Sequence, residues 1–185
     1  MLNLKKIVRR MTVVKRKKNA FQRLSFLFFL WFAFCLCISQ CEAGVSCTFI
    51  FPTLINFGNY NPTSPVAATA TGTIQFHCTG SNRGGTGQQI QITLNPGVNS
   101  GGSFNPRDMM GPAPTDLLAY NLYLDSTDTT IWGDGTQGTS VYTYNYTPGN
   151  TGNITATIYG QLFPLQNVPA SPSPYTDSIT VTATY

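Results

Sequence analysis

The sequence predicts an all-β sandwich that follows a short N-terminal export segment. Several runs of five to nine residues alternate apolar and polar side chains, which is the period of a half-buried strand. Clusters of Gly, Ser, Asn and Pro separate those runs and read as turns or loops. No stretch repeats apolar residues at the period of an amphipathic helix.

The first 43 residues differ in kind from the rest. Residues 1–23 carry Lys5, Lys6, Arg9, Arg10, Lys15, Arg16, Lys17, Lys18 and Arg23 without one acid. Phe26 to Ile38 then contains no polar side chain, and Cys41-Glu42-Ala43 supplies small residues at an exit. Basic head, short apolar run and small residue describe a secretory signal spanning 1–43, with cleavage after Ala43. Two alternatives are an uncleaved membrane anchor, for which the run falls short of the roughly 20 residues needed, and a lipidated Cys41.

Removing the leader reverses the electrostatics. Arg83 and Arg107 then stand against Asp108, Asp116, Asp125, Asp128, Asp134 and Asp177, so two minus six gives −4 where the whole chain reads +4. A chain of that kind lacks the clustered Lys and Arg that nucleic acid demands. Cys35, Cys37 and Cys41 leave as well, and the remaining pair, Cys47 and Cys78, reads as a disulfide in an exported chain. Closing that loop stabilises by about 3–4 kcal/mol in the chain-entropy model. A two-thiolate metal site is the rival, but His77 adjoins Cys78, and neighbours on a strand point to opposite faces.

Residues 44–185 make one domain with room for a core. The expected strands are Val45–Phe51, Leu54–Phe57, Ala70–Cys78, Gln88–Leu94, Leu117–Asp125, Val141–Tyr146, Asn153–Leu162 and Tyr175–Tyr185. Ile74, Phe76 and Cys78 share one face of the third; Ile90, Ile92 and Leu94 share one face of the fourth. Leu118, Tyr120, Leu122 and Leu124 repeat the pattern. The turn clusters are 80–87, 95–102, 133–138, 148–152 and 169–174. A link from Cys47 to Cys78 would staple the first strand to the third, near an edge that the C-terminal strand could approach.

Catalytic chemistry finds little to work with. A nucleophile needs a base beside it, and the sole candidate, His77, reads as a solvent-facing strand residue. Asp125, Asp128 and Asp134 miss the oxygen spacing and closing Glu of an EF-hand and read as turn-capping carboxylates. The glycines of 83–87 lack the Lys-Ser/Thr step of a phosphate loop. Asn145-Tyr-Thr147 and Asn153-Ile-Thr155 match a glycosylation sequon. Trp132 and the tyrosines suit either the core or a sugar-stacking surface. Neither an enzyme activity nor a cofactor or metal is expected.

The last eleven residues carry the strongest functional hint. Ile179, Val181, Ala183 and Tyr185 fall on one face and Thr180, Thr182 and Thr184 on the other. No Lys, Arg or Pro blunts residues 178–185, so a sheet edge there would recruit another chain.

These features also occur in a familiar order. Cys47, Phe57-Gly-Asn-Tyr-Asn-Pro62, Gly72-Thr-Ile-Gln-Phe-His-Cys78, Arg107-Asp-Met109, Leu118–Asp125, Trp132-Gly-Asp-Gly-Thr136, Tyr159-Gly160 and the ending Tyr175–Tyr185 follow one another along the chain. Together they resemble the spore coat protein U domain, the family of subunits of archaic chaperone–usher pili. The resemblance implies an immunoglobulin-like β-sandwich lacking its last strand. A periplasmic chaperone would fill the gap first, and a neighbouring subunit's N-terminal extension would replace it at an outer-membrane usher. Ile179, Val181, Ala183 and Tyr185 would form one wall of that donor-strand groove, with Val45 and Phe49 opposite. The product would be a structural or adhesive surface subunit that supports attachment and biofilm. Cleavage after Ala43 leaves only Gly44, Val45 and Ser46 ahead of Cys47, too few to donate a strand, which points to a terminal position. The competing reading is a self-sufficient secreted binding module for carbohydrate, using Trp132 and loop tyrosines.

Overall fold

The computed structural model describes residues 2–4, 12–16, 44–50, 52–80, 88–149 and 152–185. The apolar run 26–38, the cleavage point after Ala43, Cys41, Phe51 and the 81–87 stretch lie outside them. Every regular element described is a β-strand: β1 (Leu2–Leu4), β2 (Thr12–Arg16), β3 (Ser46–Ile50), β4 (Gly58–Tyr60), β5 (Ala68–Thr79), β6 (Gln88–Leu94), β7 (Arg107–Met110), β8 (Leu117–Tyr123), β9 (Tyr142–Tyr146), β10 (Ile154–Leu162) and β11 (Thr180–Thr184).

Two sheets form the sandwich. One runs β3-β5-β10-β8-β7, antiparallel throughout. The other runs β2-β11-β6-β9 and is antiparallel except where β2 lies parallel to β11. A separate pairing joins β1 to β4. Immunoglobulin-like architecture follows from facing antiparallel sheets whose inward side chains interlock.

Period-two patterning accounts for the long strands. On β5, Gly72, Ile74, Phe76 and Cys78 are buried while Thr69, Thr71, Gln75 and His77 face outward. On β10, Ala156, Ile158, Gly160 and Leu162 point in, and β5 and β10 pair from Ile154↔Phe76 to Leu162↔Ala68. Ile90, Ile92 and Leu94 of β6 and Val181 and Ala183 of β11 close the core from the other sheet. Each fully buried aliphatic or aromatic side chain stabilises by about 1.5–3 kcal/mol.

The segment 54–57, expected as a strand, is not one. Thr53 donates its N–H to the Thr73 carbonyl at 2.9 Å, and the chain then turns its side chains into the core. A Cβ on Gly72 would sit 2.7 Å from Ile55 Cγ1, and one on Gly160 would sit 2.9 Å from Phe57 Cζ. Ile55 and Phe57 thus occupy the space that two glycines of β5 and β10 leave open. Packing across the strands has displaced pairing within them.

Two strand boundaries also move. β8 ends at Tyr123, because residues 125–130 fold back and Leu124 N–H meets the Thr130 carbonyl at 2.9 Å. The run expected as one strand from Tyr175 to Tyr185 splits. Thr176 bridges Met110 of β7, and only Thr180–Thr184 join the second sheet.

Candidate functional site

The C-terminal segment changes sheets between Asp177 and Ile179, and a buried polar cluster holds the crossing in place. Before it, Met110 and Thr176 exchange N–H···O=C bonds of 2.9 Å in each direction. After it, the Thr180 N–H donates to Asn95 Oδ1 at 2.7 Å, and Asn95 N–H donates back to the Thr180 carbonyl at 3.0 Å. At the crossing, Asp177 Oδ2 accepts the Tyr120 hydroxyl at 2.6 Å. Asp177 Oδ1 accepts from Val98 N–H at 3.0 Å, Asn99 Nδ2 at 3.0 Å and Ser178 N–H at 2.8 Å. Gly97, at φ +93°, makes room for this carboxylate, since a Cβ there would collide with it.

Burial pushes the Asp177 carboxyl up, against the lowering effect of its hydrogen bonds and of Arg107. The Tyr120 phenol is held well above its usual range by burial first and by Asp177 second. Arg107, with no exposed surface, donates to Asn121 Oδ1 at 2.7 Å, the Trp132 carbonyl at 2.6 Å and the Asn95 carbonyl at 3.2 Å. Its guanidinium lies 5.1 Å from the centre of the Phe104 ring. Among the described residues no buried side-chain polar atom lacks a partner. Sequence reasoning passed over this cluster. The available signal was Arg107 itself, a lone Arg in a chain almost free of cations after residue 43.

β11 is the wall that the sequence pointed to. Val181 and Ala183 are fully buried and stand opposite Leu94 and Ile92 of β6. Ile179 is buried beside them, and Tyr185 packs half-buried against the same core. Val45 and Phe49 are elsewhere. Phe49 lies on β3 and Val45 just before it, with the Phe49 ring stacked on Phe76 at 5.4 Å; Phe76 in turn meets Tyr144 of β9 at 5.8 Å. β9 and β11 flank β6 on opposite sides, so Phe49 belongs to the far end of the sandwich. The structure brings residues 179–185 together and leaves Val45 and Phe49 apart from them. For the same reason β3, though an edge strand, does not approach the C-terminal strand.

The outer edge of β11 is paired, and the partner is unexpected. Thr12–Arg16 run parallel along it, from Thr180↔Thr12 to Thr184↔Arg16. Among the described residues, none after 43 contributes to that edge in the second sheet.

Other candidates resolve simply. Trp132 is sealed in the core, donates its indole N–H to the Ile92 carbonyl at 2.9 Å and stacks on Tyr142 at 5.6 Å. The carbohydrate reading that used its ring as a surface platform is therefore overturned. Cys47 and Cys78, directly opposite on β3 and β5, form a disulfide, with His77 on the other face of β5. Among the described residues no group of three His, Cys, Asp or Glu side chains is placed to hold a metal ion. Asp125 accepts from Thr127, Thr129 and Thr130, and Asp134 from Thr136, as turn carboxylates do.

Fold and site together define an immunoglobulin-like, disulfide-stapled β-sandwich whose last strand lies between β6 and Thr12–Arg16 in the second sheet. Residues 33–182 match the family model of the Spore Coat Protein U domain, most of the chain, and the protein belongs to that family. The family comprises structural, surface-exported subunits associated with chaperone–usher pili, and its members are not enzymes. No curated protein matches the chain. No helix among the described residues is long and apolar enough to cross a membrane.

Proposed function

We propose that this protein is a non-enzymatic pilus or surface-coat subunit completed by a β-strand from another polypeptide, added along the outer edge of β11. One observation carries the reading. The strand on that edge, Thr12–Arg16, comes from the basic head of the N-terminal segment, which a secretory signal loses on export. Its departure leaves the outer edge of β11 unpaired over five residues, with β6 still on the other side, a rim of about 16 Å at 3.3 Å per residue. Unpaired N–H and C=O groups on such a rim favour strand addition, with side chains of the incoming strand setting specificity.

The first donor in this scheme is a periplasmic chaperone and the second a neighbouring subunit, exchanged at an outer-membrane usher. The chain itself is a poor donor. With cleavage after Ala43, only three residues precede Cys47, and one of them, Val45, is already buried. We therefore place it at the end of a fibre, where a role in attachment and biofilm formation belongs.

The test uses the chain beginning at Gly44, purified with and without a synthetic donor peptide. Donor binding should raise its melting temperature and protect the amides of 180–184 from exchange. Head-to-tail fibres grown from this chain alone would refute the terminal position. A donor-free monomer that melts cooperatively at high temperature, with those amides already protected, would refute strand addition itself.

A further inference from the structure

A second surface feature lies on the outer face of the five-stranded sheet, away from β11. Thr69, Ala70 and Thr71 of β5, Tyr159 and Gly160 of β10, and Ser126 and Asp128 line a cleft of about 340 Å³, within the size range of small-ligand pockets. Its rim is built, because Asp125 fixes the loop that carries Ser126 and Asp128. Asp125 Oδ1 accepts from the Thr127 and Thr129 N–H groups at 3.1 Å each, and Oδ2 accepts from Thr130 N–H at 2.7 Å. Asp128 sits at φ +54°, and its Oδ2 accepts from Gln161 Nε2 of β10 at 3.0 Å. That bond ties the loop across the sheet and leaves Oδ1 without a hydrogen bond among the described residues. Tyr159 stands between Thr71 and Tyr123 in the strand register and forms the floor.

The lining chemistry selects the ligand class. No cation lines the cleft, so a phosphate or carboxylate ligand would face Asp128 uncompensated. The cleft offers one carboxylate and no group of three metal-capable side chains, which disfavours a bound divalent ion. Ala70 and Gly160 give too little aliphatic surface for a hydrocarbon. Four hydroxyls that both donate and accept, on Thr69, Thr71, Ser126 and Tyr159, a carboxylate that accepts strongly and one aromatic ring suit a neutral polyhydroxyl ring. We propose that this cleft binds a neutral pyranose sugar, with Asp128 accepting from its hydroxyls and Tyr159 lying against its C–H face.

The proposal is independent of strand addition, and its test involves no chaperone, usher or donor. The exported full chain is titrated with the methyl glycosides of mannose, galactose and N-acetylglucosamine while backbone amide shifts are followed. Saturable shifts confined to residues 69–71, 126–128 and 159–160 are expected with at least one of them. Asp128→Asn and Tyr159→Ala should each weaken that binding about tenfold, the loss of one charge-assisted or stacking contact. Tyr159→Phe, which keeps the ring and the fold, should retain it. Absence of saturable shifts with all three glycosides overturns the proposal. So does unchanged affinity in Asp128→Asn, or calcium alone reproducing the same shifts.

Discussion

Arg107 reaches three acceptors with a planar fork; without it the Trp132 and Asn95 carbonyls would lose the guanidinium, while Asn121 Oδ1 would keep the Leu122 N–H at 2.9 Å. Arg107→Met should therefore lower unfolding free energy by about 1–3 kcal/mol for each buried carbonyl left unsatisfied. Arg107→Lys should rescue little of this, since an ammonium cannot reproduce the fork. Urea denaturation of both variants measures the difference. The sequence offered no account of this residue, because a charged side chain in a strand ordinarily faces water. Only the convergence of Asn95, Asn121 and Trp132 from three separate segments explains its burial.

Carboxylates act in opposite senses on acid stability. Bonds from Thr127 foremost, with Thr129 and Thr130, hold the Asp125 carboxyl well below its ordinary value, and Thr136 does the same for Asp134. A lowered folded pKa means that the ionised form is favoured in the native state. Its stabilisation is complete above the unfolded value of about 3.9 and drains away as the pH falls below it. Asp177 runs the other way: burial raises its pKa, so its contribution favours the fold at low pH and fades as the pH rises through the folded value. Asp125→Asn should accordingly flatten the loss of stability between about pH 4 and pH 2. Thermal melts of both proteins across that range check the slope.

At the scale of elements, the strands with clean alternation were legible. β5, β6 and β10 place Ile74, Phe76, Ile90, Ile92 and their neighbours inward because one face of each meets the opposite sheet. Three features were not. β7 holds only Arg107–Met110, too short for a periodic signal, and its charged first residue is buried. Residues 54–57 look like a strand locally, but their destination depends on glycines far along the chain. The sheet change at Asp177 depends on Tyr120, Val98 and Asn99, which no local pattern reveals. The inward face of β11, with Val181 and Ala183, was readable for the same reason β5 was. That Val45 and Phe49 stand away from β11 was not readable, because sheet order, which sets what faces what, is not written in strand periodicity.

The glycine contacts supply a test at this scale. Gly160→Ala would push a methyl group into Phe57 and Ile55, with 2.9 Å and 3.2 Å as the nearest approaches. Overpacking of this kind costs about 1–3 kcal/mol. A compensating Phe57→Leu should recover part of it, giving a non-additive double-mutant cycle in chemical denaturation.

For the molecule as a whole, burial of Arg107 leaves the described surface after residue 43 with no Lys or Arg side chain. Arg83, the other Arg after residue 43, lies outside the described residues. Trypsin, which cuts after Lys or Arg, consequently has no entry at the Arg107–Asp108 bond while the sandwich is closed. That bond becomes a built-in gauge of opening: its scission should proceed only as fast as the β7 region unfolds. The Cys47–Cys78 crosslink should slow the cut, and reduction of that crosslink should hasten it. Gel or mass-spectrometric timing of the resulting 108–185 fragment would follow this directly, and cleavage at 107 as rapid as in a denatured control would show the guanidinium to be open to solvent.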